Sequence, residues 1–376
     1  MTAAKPVRVE IDKPTQQELL MAVIRLYHTM FKEIQHLIPT GHTYRARNLA
    51  WFLSGIFHSR SVHLSHVANK IPGQAQRHSQ TRRLSRFLDN GAVNVRRWYR
   101  PLAKRLLQAA GQTGELRLII DATKIAQDHQ LLMVAVAYRR RALPISWTWI
   151  RRAKGHSSGR KQMALLSYVY QLVPANVPVI VLGDSEFTPL QALLERWGWF
   201  YALRQKGSHL YRRWPDGAWQ PVKTLVTAPG QCRWLADIEL THHHRHGCHF
   251  LAYWRRGEKE PWLLATNLPD ASTTKRQYKV RMWIEEMFGD FKRNGADLET
   301  SRLRHFLRLS RLTLVVAILY VWLVAFGAST IKRGQRRLVD RADRRDLSIF
   351  RIGHDMLERC LINSRPISIR HVPYFT

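Results

Sequence analysis

The stretch LTLVVAILYVWLVAFGA, Leu312 to Ala328, is apolar at every helical phase. A segment of that kind must be enclosed, either by lipid or by the rest of the chain. It falls short of the roughly 20 apolar residues that span a bilayer, and Arg and Lys stand close on both flanks. A helix buried at the centre of a protein core is therefore expected, with no membrane partner. With 376 residues, 45% of them hydrophobic, there is ample chain to wrap around it.

That core has to coexist with 60 Lys and Arg against 27 Asp and Glu, a formal net charge of +33. Cations spread over the whole length point to a polyanionic partner, because they release counterions when they neutralise phosphates. Nucleic acid is the leading candidate. Thirteen Trp, 12 Tyr and 13 Phe are mixed among the basic residues; most belong in the core, and the remainder suit base stacking. Cys232, Cys248 and Cys360 have neither disulfide parity nor zinc spacing, which fits a reducing compartment. The opening MTAAKPVRVEIDKPTQQ lacks an apolar signal region, so a cytoplasmic location is expected.

Residues 15 to 113 carry helical spacing, as in QQELLMAVIRLYHTMFKEI. Within them, HLSHVANKIPG followed by QAQRHSQTRRLSRFLDN suggests a helix-turn-helix-like module with a basic second helix. Arg82 and Arg83 are its expected phosphate or base contacts, so residues 1–113 form an expected DNA-binding domain. From residue 116 the pattern changes to strands. LRLIIDAT ends in Asp121, LLMVAVAYRRR and LPISWTWIRR follow, and VPVIVLGDSEF ends in Asp184 after an intervening helix. Another helix and WFYALRQK complete the order βββαβαβ, a mixed α/β sheet covered by helices over 114–205. Residues 206–268 alternate between strand-like runs and Asp-Gly, Pro-Gly and His-rich turns, which predicts a β-rich insertion. Core helices are expected to resume over 269–330, with a basic helical tail over 331–376.

A carboxylate at the tip of a buried strand must be paired, solvated in a cleft or bound to metal. YKVRMWIEEMFGDFK, read as one helix at about 100° per residue, puts Tyr278, Arg281, Glu285 and Lys292 at roughly 0°, −60°, −20° and −40°. Glu285 thus sits on a narrow polar stripe, while Glu286 points about 80° away and Val280, Ile284, Met287 and Phe291 form an apolar arc. Asp121, Asp184 and Glu285 together would offer hard oxygen ligands suited to Mg²⁺ or Mn²⁺. Two such ions can clamp an in-line phosphoryl transfer. Each acid alone has an ordinary alternative, as a helix cap or an ion-pair partner.

The spacing of Tyr278, Arg281, Glu285 and Lys292 resembles the YREK signature of DDE transposases of the insertion-sequence-four type. LIIDAT and VIVLGDSEF look like that family's two catalytic aspartate motifs, KEPWLLATNLP like the end of its β insertion, and RRDLSIFRIG like its C-terminal segment. The resemblance implies an RNase H-like core, with Asp121, Asp184 and Glu285 as catalytic metal ligands for two ions. It implies DNA contacts for Tyr278, Arg281 and Lys292, and a base-flipping role for Trp262 during hairpin formation. Arg204, at a strand end, is a further expected phosphate contact. The implied partners are transposon ends and target DNA, bound by a homodimer, in a bacterial cytoplasm. Ser185 stands where the family often has arginine.

Two rival readings stay open: a non-catalytic DNA-binding protein or repressor, and an RNase H-like nuclease without strand transfer. Glu186 and Asp128 are expected to lie off the site. The run THHHRHGCH, with His242, His243, His244, His246, Cys248 and His249, lacks a recognisable metal spacing.

Overall fold

The computed structural model describes residues 15–125, 129–151, 157–213, 217–241, 246–292 and 295–375. Five helices come first: α1 (Gln16–Leu37), α2 (Thr43–Ser59), α3 (Leu64–Ala68), α4 (Arg77–Asp89) and α5 (Val95–Gly111). The start of α1 is fixed by a reciprocal capping box. The Thr15 backbone N–H donates to Glu18 Oε2 at 2.7 Å, and the Glu18 N–H donates to Thr15 Oγ1 at 3.2 Å.

Three long strands follow, β1 (Leu116–Ile125), β2 (His129–Tyr138) and β3 (Arg141–Arg151), then α6 (Gly159–Tyr170), β4 (Val179–Gly183), α7 (Gln191–Arg196) and β5 (Phe200–Arg204). β1, β4 and β5 are mutually parallel, β2 pairs antiparallel with β1, and β3 pairs antiparallel with β2. All five residues of β4 are buried, as befits a strand with parallel neighbours on both sides and helices over its faces. Pro144 lies in the edge strand β3 next to a register shift at Val134/Ala135, where a missing N–H can be tolerated.

The β-rich stretch is continuous with the sheet and extends it. β6 (Leu210–Arg213), β7 (Gln220–Pro221), β8 (Cys232–Leu240), β9 (His246–Tyr253) and β10 (Trp262–Thr266) continue the ladder. β10 pairs antiparallel with β5 (Leu264 opposite Arg204), giving the order β3-β2-β1-β4-β5-β10-β9-β8-β6-β7. The edge of β5 would otherwise be left with open backbone groups.

The single helix expected from Tyr278 to Lys292 is broken. α8 (Ala271–Tyr278) runs into a 3₁₀ turn at Lys279–Met282 before α9 (Trp283–Phe291). The tighter turn changes the phase of everything after it, so the uniform 100° wheel no longer describes Lys292. The apolar run belongs to α10 (Phe306–Lys332), which at 27 residues is longer than the sequence reading allowed and is long and apolar enough to cross a membrane. It is instead enclosed by protein: 89% of its most apolar window is buried, against α2, α4, α5, β3 and α11 (Ile349–Ile362). The N-terminal helices therefore share one apolar core with the sheet and the tail.

Candidate active site

Register brings the first two carboxylates together. Ile120 of β1 lies opposite Gly183 of β4 on the last rung of their parallel ladder. Asp121 and Asp184 are the next residues along two strands that run about 4.8 Å apart. Asp121 is interior to its strand, not at its tip as the sequence suggests, because β1 continues to Ile125 by pairing with β2, where Asp121 faces Met133. The open edge is created by β4 stopping. Asp184 ends it by capping the 3₁₀ turn Ser185–Leu190, its Oδ1 accepting from the Ser185 N–H at 2.8 Å.

The third carboxylate arrives through Arg281. Its Nη1 is 3.2 Å from Asp121 Oδ2 and its Nη2 is 2.8 Å from Glu285 Oε1. The Arg281 side chain is only 9% exposed, against 14% for Asp121 and 47% for Glu285, so the buried guanidinium faces an acid opening to solvent. Burial raises the Asp121 carboxyl to about 7; Arg281 and the Ala122 N–H pull it down, and Glu285 and Asp184 push it up. Burial also opposes the Arg281 cation, but Tyr278, Asp121, Asp184 and Glu285 outweigh it and hold the guanidinium charged.

Tyr278 packs beneath this group. Its ring is buried, its hydroxyl has no hydrogen-bond partner among the described residues, and burial pushes the phenol pKa upward. Trp262, half-buried at the start of β10, meets Tyr278 edge-on with centroids 5.1 Å apart. Arg204 donates to Glu260 Oε2 at 2.8 Å and also feels Tyr278 electrostatically. Lys292 is separate. It caps α9 with a non-helical backbone and lies 3.5 Å from Glu299. In the N-terminal helices, Arg82 is exposed, but Arg83 is half-buried with its Nε 2.6 Å from Asn48 Oδ1, so Arg83 is a tie between α4 and α2 and not a free phosphate contact.

The acids read as off-site have other partners. Glu286 Oε2 accepts from Arg141 at 2.9 Å, and Glu186 accepts from the Ser157 N–H at 2.9 Å. Asp128, His242, His243 and His244 lie outside the described residues. His246 pairs with Glu195 at 2.9 Å, His249 with Asp237 at 3.5 Å, and Cys248 is buried. The sequence reading missed the pair of Arg141 with Asp290, at 2.9 Å and nearly solvent-free. The i,i+4 spacing of Glu286 and Asp290 is its only local signal; the arginine comes from a distant strand.

Asp121, Asp184 and Glu285 form an all-oxygen donor set of the kind hard divalent cations take. Their ligating atoms are not drawn to within 4.8 Å of one another, since Arg281 stands between Asp121 and Glu285. Among the described residues that closeness is met by His354, Asp355 and Glu358 on α11. There Arg60 lies 3.0 Å from Glu358 and Arg351 lies 2.8 Å from Asp355, so cationic side chains already compensate the acids.

No protein-family profile matches the sequence, and no curated protein matches it. Among solved structures, the piggyBac transposase synaptic complex with hairpin DNA superposes with a TM-score of 0.44 and 8% identity, over 93% of this chain and 83% of that one. A superposition that loose fixes neither fold nor activity.

Proposed function

We propose that the chain is a cut-and-paste DNA transposase of the DDE kind, a reading carried by Asp121, Asp184 and Glu285 arranged around the single Arg281 guanidinium. The strand order β3-β2-β1-β4-β5, with β1, β4 and β5 parallel, supports the RNase H-like core that the sequence resemblance implies. The charge of +33 supports a DNA partner.

Asp121, Asp184 and Glu285 would hold two divalent ions of the Mg²⁺ or Mn²⁺ type, which supply Lewis-acid stabilisation to both oxygens of an in-line phosphoryl displacement. Asp121 must be deprotonated to serve, and its raised pKa makes that step sensitive to pH near neutrality. Arg281 fixes the spacing of Asp121 and Glu285 and presents positive charge beside the phosphate. Trp262, backed by Tyr278, offers an aromatic face for an unstacked base. Arg204, Lys292 and Arg82 are assigned to backbone phosphates. A homodimer pairs two transposon ends, and water and then a 3′-hydroxyl act in turn at the same site, by way of a hairpin.

The test uses purified full-length protein, Mg²⁺ and DNA carrying the sequences that flank its own gene. The expected result is a hairpin-ended or strand-joined product, lost by at least about 10³-fold in Asp121→Ala, Asp184→Ala and Glu285→Ala while DNA binding persists. Nicked linear products alone would favour a nuclease. Binding with no metal-dependent product from the wild-type protein would favour a repressor.

A further inference from the structure

A cleft of about 770 Å³ opens beside Glu285, on the side of α9 where Glu286 and Asp290 meet Arg141. It runs from Glu285 past the β2–β3 turn to the segment that leads into α11. Its walls are rich in arginine: Arg139 and Arg140 from the turn, and Arg336 and Arg345 from the C-terminal segment.

The charge balance inside it is uneven. Of the acids lining the cleft, Glu286 is held by Arg141 at 2.9 Å, Asp346 by Arg344 at 2.6 Å and Glu285 by Arg281. Arg336 is itself taken up by Asp340. Among the described residues no carboxylate pairs with Arg139, Arg140 or Arg345, and all three are exposed. The amino end of α11, capped by Ser348, opens into the same space and adds a favourable field for an anion.

The turn itself is unusual. Tyr138 pairs with Arg141, so Arg139 and Arg140 are the whole loop, and both have positive φ, 39° and 63°. A two-residue hairpin of that form favours Asn-Gly, since side chains are strained there. Two adjacent arginines in the left-handed region carry a backbone cost and add mutual repulsion.

The geometry points to this cleft as a binding groove for the DNA phosphate backbone on the strand leading away from Glu285, with Arg139, Arg140 and Arg345 as its contacts. The assignment rests on the transposase reading for the direction of the strand. The binding itself can be measured without catalysis.

The experiment titrates the full-length protein with a labelled random-sequence duplex in EDTA over a range of NaCl. In Arg139→Asn/Arg140→Gly the log–log salt slope is expected to fall by about 2, and in Arg345→Ala by about 1. The first variant places the preferred residues in the turn, so its melting temperature should match or exceed that of the wild type. Arg139→Lys/Arg140→Lys should keep the slope. Arg359→Ala/Arg365→Ala, a charge-matched exposed pair at the far end of α11, should change it less than half as much. Unchanged slopes in the first two variants, or an equal fall in the Arg359/Arg365 control, would overturn the groove. Either result leaves the metal-dependent cleavage assay free to succeed or fail on its own.

Discussion

At the scale of single residues, Asp121 is the group whose protonation matters most. Its folded pKa of about 7 lies above its ordinary value of 3.8, with burial the largest cause. The folded state therefore binds the proton more tightly than the unfolded chain does. Its contribution to stability is full below pH 4 and is lost as pH rises toward 7. Asp290, raised to about 7 chiefly by burial, acts in the same direction. Asp121→Asn should flatten the fall in melting temperature of metal-free protein between pH 4 and 7, and a fall as steep as that of the wild type would exclude this account. On the proposed metal role of Asp121, the ion displaces that proton, so a Mg²⁺-induced rise in melting temperature should be larger at pH 8 than at pH 6. The two neighbouring arginines of α4 should part company. Arg82→Ala is expected to lower the salt slope of DNA binding by about 1 at unchanged stability. Arg83→Ala should cost about 1–2 kcal/mol in urea unfolding, because it strips Asn48 of its partner. Asp121, Asp184, Arg281 and Glu285 were all singled out in the sequence, and the structure brings Arg281 to both Asp121 and Glu285. The role of Arg83 was not legible there, since nothing in a run of arginines says which one meets Asn48 from another helix.

At the scale of elements, the crossing of α10 and α11 is set by two glycines. A Cβ on Gly327 would run into the Ile349 carbonyl oxygen, and one on Gly353 into the Leu323 carbonyl oxygen. Both obstacles are backbone, so neither can swing aside. Gly353→Ala and Gly327→Ala should each destabilise by about 3 kcal/mol or more, read from chemical denaturation; a loss below 1 kcal/mol would show that the helices can separate freely. Periodicity located most helices and all the strands of the first half. It missed the 3₁₀ turn at Lys279–Met282, because Val280 within the turn and Ile284 just after it are buried and keep the apolar pattern intact. It read 206–268 as a β-rich insertion without placing it at the edge of β5, since hydrogen bonding between β10 and β5 leaves no mark in either strand's own pattern.

For the whole molecule, α10 is the axis on which helices, sheet and tail are assembled. The C-terminal segment fastens the assembly from outside. The Tyr138 hydroxyl donates to the Tyr374 carbonyl at 2.8 Å, and His371 Nε2 lies 2.7 Å from Glu33. Deleting residues 349–376 would expose one flank of α10 and remove these ties. The truncated protein is expected in the pellet or membrane fraction after lysis, and recovery as a soluble, cooperatively unfolding monomer would contradict the packing described here. The same reasoning predicts that residues 15–113 expressed alone would not fold cooperatively, since their apolar faces close on α10 and α11.

The sequence by itself determined the inventory: a cationic chain, a wholly apolar helix that something must enclose, and three acids that offer hard oxygen donors. Those are properties of composition and local period, which a linear chain carries without knowing its neighbours. Tertiary structure alone decided which atoms meet. The parallel register of β1 and β4 sets Asp121 beside Asp184, Arg281 reaches both Asp121 and Glu285, and the β2–β3 turn lies along the cleft beside Glu285. Contacts between residues far apart in the chain depend on strand order and helix crossing, and no local pattern encodes either.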